Sequence, residues 1–360
     1  MLSKDLVALC AKEVRDRIAP LIPRGLPVAL VDFPQSSNCG EHASWLAAKK
    51  LLSELGLAPA YECSTQSYDR DAMAAKLGSG PILVHGGSKF GERHPQHREF
   101  WQRLLEDFPK NAFIFLPQQV TPGDEDYLRR AAGFTINHAD VTLIARSSLT
   151  RELFSRNFAP KLRVEMAPDP SFILGPQSRS VEPAYDIAWI ARTDREQNDR
   201  TEAAARLSSQ PAEKLPLPRF SDGVELGLVV KQRPPTVLLT DWTSLVFENA
   251  EARLSYQTLP FDTRSEAYFQ RALHILSLGR IVITDRLHGH IFCLLLGIPH
   301  VLLDNASGKN WQFYETWTRD AGLCRLAKTP AEAWRAARAA LPKLKEWTDG
   351  EWSWTEASAV

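Results

Sequence analysis

Residues 280–309 read RIVITDRLHGHIFCLLLGIPHVLLDNASGK. Residues 280–284 (RIVIT) form a short run dominated by β-branched residues, which predicts a buried strand. Residues 287–296 have the length of a helix and are apolar from Ile291 onward, so that helix must be buried. Residues 300–303 (HVLL) form a second apolar strand. Apolar strands joined through a helix are a parallel pair, and parallel sheets are covered on both faces.

The same alternation extends in both directions. Residues 28–33, 81–85, 112–116 and 141–145 read as strands. Helical patterns follow them at 42–55, 99–108, 124–137 and 150–158, and residues 1–22 read as an amphipathic helix. A polar stretch with two prolines, 175–183, reads as a linker. Beyond it strands are predicted at 186–190, 236–240, 280–284 and 300–303, with helices at 265–278, 287–296 and 329–347. Residues 194–235 carry no such pattern. The expectation is an α/β chain of two Rossmann-like domains with parallel sheets, 1–175 and 184–360. The pairing would be GT-B-like, with an active site in the interdomain cleft.

Composition narrows the function. The 360 residues hold 43 Lys plus Arg and 43 Asp plus Glu, so nothing argues for a nucleic-acid groove or a polybasic membrane patch. Five widely spaced cysteines without a CxxC pair fit neither a disulfide framework nor a structural zinc site, and suit a cytoplasmic setting. The charged first helix lacks a signal peptide's apolar core, and no run has the ~18–20 apolar residues of a membrane span.

Open α/β sheets bind ligands beyond the carboxyl ends of their strands, so the residues there are the candidates. After 28–33 come Asn38, Glu41 and His42 at a helix start, where free N–H groups suit an anion or a hydroxyl. After 81–85 come Gly86 and Gly87, then Ser88, Lys89 and Phe90, which match neither a Walker loop nor GxGxxG. His94 and His97 lack a third ligand, so no metal is expected. Gln118 follows 112–116, Arg146 follows 141–145 and Arg192 follows 186–190. A strand-end arginine is a planar, permanent clamp for phosphate or carboxylate. Asp285, Arg286, Leu287 and His288 follow 280–284, at the positive end of a buried helix dipole. His288 and His290 fall on different helix faces, and His288 is the better candidate. Asn305, Ser307 and Lys309 follow 300–303, with polar groups for hydroxyls or phosphate.

These residues resemble the polysaccharide pyruvyl transferase family. The resemblance rests on Asn38-Cys39-Gly40-Glu41, on His85-Gly86-Gly87-Ser88-Lys89-Phe90-Gly91, on Phe108-Pro109-Lys110-Asn111 with Leu116-Pro117-Gln118-Gln119, and above all on Thr284 to His290 continuing to Lys309. It covers roughly residues 28–317. The family usually has Asp at Glu41 and a third glycine at Ser88. The resemblance implies a phosphoenolpyruvate donor on the second domain, held by Arg286, Leu287, His288 and Arg192. It places a saccharide acceptor, lipid-linked during polymer assembly at the inner membrane face, on the first domain. His288 is then the candidate acid, Glu41 or else Asp285 the candidate base, and no cofactor is required. Two other readings share the architecture: a GT-B glycosyltransferase with a nucleotide-sugar donor, to which Asp241-Trp242 is relevant, and a non-catalytic carbohydrate-binding protein.

Overall fold

Seven strands build the sheet of the first half, and their order shows why its apolar runs are continuous. In the computed structural model these are β1 (Val28–Val31), β2 (Pro59–Cys63), β3 (Ile82–Val84), β4 (Gly87–Phe90), β5 (Phe113–Val120), β6 (Val141–Ala145) and β7 (Arg163–Met166). They run parallel in the order β2-β1-β3-β5-β6-β7, with β4 paired to β5. Every residue of β1, β3, β5 and β6 is buried, as interior strands covered on both faces must be. The structure describes residues 1–91, 95–120, 123, 125–135, 138, 140–192, 213–216, 224–225, 227–231, 235–242, 246–247, 257–346 and 353–354.

Helices α1 (Ser3–Ile18), α2 (Cys39–Glu54), α3 (Arg70–Leu77), α4 (Pro95–Asp107), α5 (Glu125–Thr135) and α6 (Ser148–Phe158) accompany this sheet. An aromatic cluster anchors α4, α5 and α6, with Phe90 4.8 Å from Trp101, 6.3 Å from Tyr127 and 5.2 Å from Phe154 between ring centroids.

The second sheet holds β8 (Tyr185–Ile190), β9 (Glu213–Pro216), β11 (Gly227–Lys231), β12 (Val237–Thr240), β14 (Gly279–Thr284), β15 (His300–Leu303) and β16 (Cys324–Ala327). Its order is β16-β15-β14-β8-β12-β11-β9. The first five are parallel, and β11 runs antiparallel to both β12 and β9. A separate pair joins β10 (Val224–Glu225) to β13 (Val246–Phe247). Helices α7 (Phe261–Ser277), α8 (Leu287–Leu296), α9 (Lys309–Phe313) and α10 (Pro330–Ala340) complete the series. The strand-helix-strand reading of residues 280–309 holds, since β14 and β15 pair in parallel with Thr284 opposite Leu302. All ten residues of α8 are buried.

The chain divides into two compact units. The N-unit comprises Leu9–Ser36 and Ser44–Leu174, and the C-unit Met1–Ala8, Ser37–Ala43 and Gly175–Val360. Both are α/β with largely parallel sheets. Each sheet has a switch point, where successive connections leave in opposite directions. In the N-unit it lies between β1 and β3, and in the C-unit between β8 and β14. Ligand crevices form at such points. Among the described residues no helix is long and apolar enough to cross a membrane.

Candidate active site

At the C-unit switch point the chain leaves β14 through Asp285 and Arg286 and enters α8 at Leu287. A wholly buried helix has one place to go, against the sheet, so its N-terminus is fixed beside the strand ends. Arg286 caps that terminus in an extended conformation, its N–H donating to Thr284 Oγ1 at 3.1 Å. Across the switch point the Arg192 N–H donates to Asp285 Oδ1 at 3.0 Å, tying the end of β8 to the end of β14. Asn310 ties β14 to β15, its Nδ2 donating to the Asp285 carbonyl at 2.7 Å and the Leu303 carbonyl at 2.9 Å.

The Arg286 guanidinium reaches the end of β12. Nε and Nη2 donate to the two carboxylate oxygens of Asp241 at 2.5 and 2.6 Å, with both side chains buried. The planar fork matches the carboxylate and fixes the arginine's direction. Its Cζ lies 5.8 Å from the centroid of the Trp242 ring.

The first turn of α2 also belongs to this unit. Gly40 packs so tightly on His288 that a Cβ there would lie 2.1 Å from the imidazole Cγ and Nδ1. Asn38 Oδ1 accepts the Gly40 N–H at 3.2 Å and Asn38 Nδ2 donates to Glu41 Oε1 at 3.1 Å. His42 stacks on Tyr268, 4.2 Å between centroids, with Nδ1 3.1 Å from Ser265 Oγ. Arg271, on the same helix as Tyr268, is buried and acts electrostatically on Cys39 together with Arg286 and Asp241.

Charge separates this unit from the other. Among the described residues, the buried charged side chains of the C-unit are Arg192, Arg264, Arg271, Arg286 and Lys309 against Asp241 and Asp285. Burial pushes the Asp285 carboxyl up to about 6, against the lowering pull of the Arg192 N–H and of the Arg192 and Arg286 guanidiniums. A carboxyl there exchanges protons readily near neutrality. Among the described residues, buried cationic side chains of this unit thus outnumber its buried carboxyls.

Among the described residues, the group of side chains close enough to hold a metal ion is His290, His300 and Cys324. Its hydrogen bonds fill it. His300 Nδ1 is 2.9 Å from the Ile298 carbonyl, which only accepts, so the proton sits on Nδ1. Burial lowers both imidazoles' pKa values, that of His300 to about 4, so both are neutral. His300 Nε2 therefore accepts from His290 Nδ1 at 2.7 Å, and His290 Nε2 from Thr318 Oγ1 at 2.8 Å. This is a structural relay, and it accounts for His290 without an ion.

Of the residues singled out from sequence, Asn38, Glu41, Arg192, Asp285, Arg286, Leu287 and His288 lie in the C-unit about this switch point. Asn305, Ser307 and Lys309 lie at the neighbouring strand end, where Asn305 Oδ1 accepts from Ser307 Oγ at 3.0 Å and the Lys309 N–H at 3.2 Å. Gly86, Gly87 and Gln118 lie in the N-unit. Gln118 does not follow its strand as expected: β5 runs on to Val120, and the Gln118 amide donates to the His85 carbonyl at 3.1 Å. The glycine stretch forms β4 rather than a loop. His94 and the residues just after Thr193 lie outside the described residues. Arg264, Arg271, Asp241 and Asn310 were not picked out as ligands. Their signal was a helical one: Arg264, Tyr268, Arg271 and Ile275 recur at i, i+4, i+7 and i+11, putting arginines on the apolar face of α7.

Comparison with known proteins identifies relatives of the whole chain. A family model described as polysaccharide pyruvyl transferase matches residues 38–225 and 232–307, spanning Asn38 to Ser307. Pyruvyl transferase 1 of Schizosaccharomyces pombe is 28% identical over 306 residues, covering 82% of this chain and 71% of that protein. EpsO of Bacillus subtilis, whose name likewise refers to pyruvyl transfer, is 22% identical over 316 residues, covering 88% of this chain and 92% of that one. The crystal structure of a functionally uncharacterised Klebsiella pneumoniae protein superposes with a TM-score of 0.52 at 17% identity, covering 84% of this chain and 93% of that chain. That likeness speaks for the fold alone.

Proposed function

The chain belongs to the polysaccharide pyruvyl transferase family and is an enzyme of that class, and from this premise we propose that phosphoenolpyruvate is the donor and that the C-unit switch point holds it. The observation that supports the reading is that Arg192 and Arg286 stand at the strand ends beside the N-terminus of α8. The donor bears a phosphate and a carboxylate, and arginines beside the N-terminus of α8 match both. A nucleotide-sugar donor is the lesser reading, since the family assigns pyruvyl transfer.

The chemistry follows from the residues around Arg286. His288 protonates the methylene carbon of the enol ester, leaving an oxocarbenium-like centre at C2. A carboxylate takes the proton of one sugar hydroxyl as its oxygen bonds to C2. Phosphate then departs with the electron pair of its C2–O bond. The second hydroxyl closes the ketal, its proton leaving with the phosphate. The proton gained by the base balances the one His288 gave. Asp285, raised to about 6, is matched to the base's task, and Glu41, held by Asn38, is the alternative. Arg192, Arg271 and Arg286 offset the charge growing on the leaving phosphate. The acceptor is a saccharide of a polysaccharide or of its lipid-linked precursor. The GT-B-like architecture and cytoplasmic, membrane-peripheral setting expected from the sequence belong to the same reading.

Thermal unfolding with millimolar phosphoenolpyruvate tests the donor. At ten times Kd the ligand adds about 1.4 kcal/mol, a rise of roughly 3–6 °C. Arg286→Ala and Arg271→Ala should lose that rise. A rise with a nucleotide sugar instead would refute the proposal.

A further inference from the structure

Residues 175–183 read as a linker, yet they are pinned along the C-unit. The Gln177 N–H donates to the Leu295 carbonyl at 2.8 Å. Arg179 Nη1 donates to the carbonyls of Ser277 and Gly279 at 2.8 and 2.7 Å, and the Ser180 N–H donates to Ser277 Oγ at 3.2 Å. The segment is thereby fixed to the last turns of α7 and α8 and to the start of β14. Ser3, at the start of α1, is fixed to the same helix end, its Oγ donating to the Leu294 carbonyl at 2.6 Å. Between these two anchored segments lies a cavity of about 1000 Å³. Every residue that lines it belongs to the C-unit.

The cavity sits at the end of α8 away from the donor. Its floor is the last turn of that helix, Leu294, Leu295 and Leu296, with Leu323 and Leu344, all buried. Since α8 runs from Leu287 to Leu296, the floor lies about 14 Å along the helix from the turn that carries His288. Nothing in the donor chemistry uses this end. The lining holds one carboxyl, Glu182, and neither a histidine nor a cysteine, which suits binding rather than proton transfer. Pockets of about 300–1,000 Å³ hold molecules of metabolite size.

Two features name the ligand class. The first is apolar surface: beside the leucine floor stands Leu2, 56% exposed, and an apolar side chain held in water gains by being covered. The second is charge. Lys4, Arg179 and Arg280 line the cavity against Glu182 alone. Lys4 is exposed, and Arg280, 30% exposed, meets Asp186 only at 3.7 Å. A helix C-terminus by itself repels an anion. Here the Leu294 and Leu295 carbonyls already accept from Ser3 and Gln177, and the carbonyls at the start of β14 accept from Arg179. The side-chain cations therefore set the sign of the cavity.

We propose that this cavity is a second ligand site of the C-unit, separate from the donor site, for an amphipathic anion. The apolar body of the ligand rests on the leucine floor and against Leu2, and its charged head meets Lys4 and Arg280. The site does not depend on which donor the enzyme uses. Its occupant rests on the far end of the helix that carries His288.

The test uses the full chain with octyl phosphate as the probe, below its micellar concentration and with phosphoenolpyruvate saturating. Thermal unfolding should show a saturable rise, and ¹³C-methyl spectra should shift the resonances of Leu294, Leu295 and Leu296. Inorganic phosphate should do neither. Across butyl, hexyl and octyl phosphate, each added methylene should tighten binding by up to about four-fold. Lys4→Glu keeps a residue suited to the first turn of α1. It should weaken octyl phosphate at least about three-fold, as should added salt, while the phosphoenolpyruvate shift persists. Vesicles containing phosphatidic acid separate two sources of the same chemistry: protection by vesicles as well marks a membrane lipid, and protection by octyl phosphate alone a soluble ester. No saturable rise, methyl shifts confined to other leucines, displacement by phosphoenolpyruvate, or binding indifferent to both Lys4→Glu and chain length would overturn the proposal. Octyl phosphate binding with these signatures in a protein that shows no phosphoenolpyruvate shift would sink the donor reading and leave this site standing.

Discussion

Replacing Asp241 by Asn should cost this protein more than any neutral change of the same size on its surface. Asn keeps the shape but loses the charge, and its NH2 faces a guanidinium N–H where a carboxylate oxygen stood. Arg286 and Asp241 are 3% and 0% exposed, and their two hydrogen bonds span 2.5 and 2.6 Å. Breaking a buried pair by removing one partner costs about 3–5 kcal/mol, because the other charge is left without compensation. At about 2–4 °C per kcal/mol for a unit near 200 residues, melting should fall by roughly 6–20 °C. Arg286→Met should cost about as much by stranding Asp241. The double variant removes both charges and should recover most of the loss, a coupling of about 3 kcal/mol in a double-mutant cycle. Thermal and denaturant unfolding of the four proteins at one pH read it directly. Additive losses would refute the argument, since they would mean the two side chains stabilise the fold separately.

Two further outcomes follow from neighbouring residues. The Asp285 carboxyl titrates near 6 against an ordinary 3.8, so folding takes up a proton between those values and stability falls as pH rises through that window. Asp285→Asn, which can still accept the Arg192 N–H, should abolish that fall and exceed the wild type by about 3 kcal/mol above pH 6, while turnover collapses; an unchanged pH profile of unfolding would contradict it. Gly40→Ala would put a methyl group 2.1 Å from the His288 ring and displace it. It should cost about 1–3 kcal/mol of stability and lower kcat at least about a hundred-fold while leaving the phosphoenolpyruvate shift in place, and unaltered kcat would remove His288 from the chemistry.

What could be read from the sequence depended on how locally each feature is determined. β6 and α8 occupy the residues expected of them, because an apolar run bounded by polar caps has one outcome in a covered sheet. The edge strands β2, β7 and β16 were missed. They are short and partly exposed, with patterns such as Arg163-Val164-Glu165-Met166 that resemble surface turns. β5 outran its expected end because Gln118 and Gln119 are buried through side-chain hydrogen bonds, which hydrophobicity does not register. Around Arg286 the strand-end residues were visible because they interrupt two apolar runs. Asp241 was ambiguous and Arg271 hidden, since their roles depend on which strands and helices become neighbours. Asp32 lies inside a predicted strand, and the residues that bond its carboxylate, Lys89, His97 and Trp101, come from far along the chain.

The make-up of the C-unit bears on how the protein is made. Its first two segments, Met1–Ala8 and Ser37–Ala43, leave the ribosome long before the strands and helices they join. Ser3 donates through Oγ to the carbonyl of Leu294, 291 residues later, at 2.6 Å. Gly40 waits as long for His288. The N-unit can condense as soon as Leu174 has emerged, in keeping with amino-terminal-first folding during synthesis. The first turn of α2 must then stay undocked until translation has passed α8. Such distant pairings are slow to close. The turn of α2 that packs on His288 can thus dock only once α8 has been made, and a chain stalled before residue 280 would hold all residues of the N-unit but none of Gly40's partners from α8.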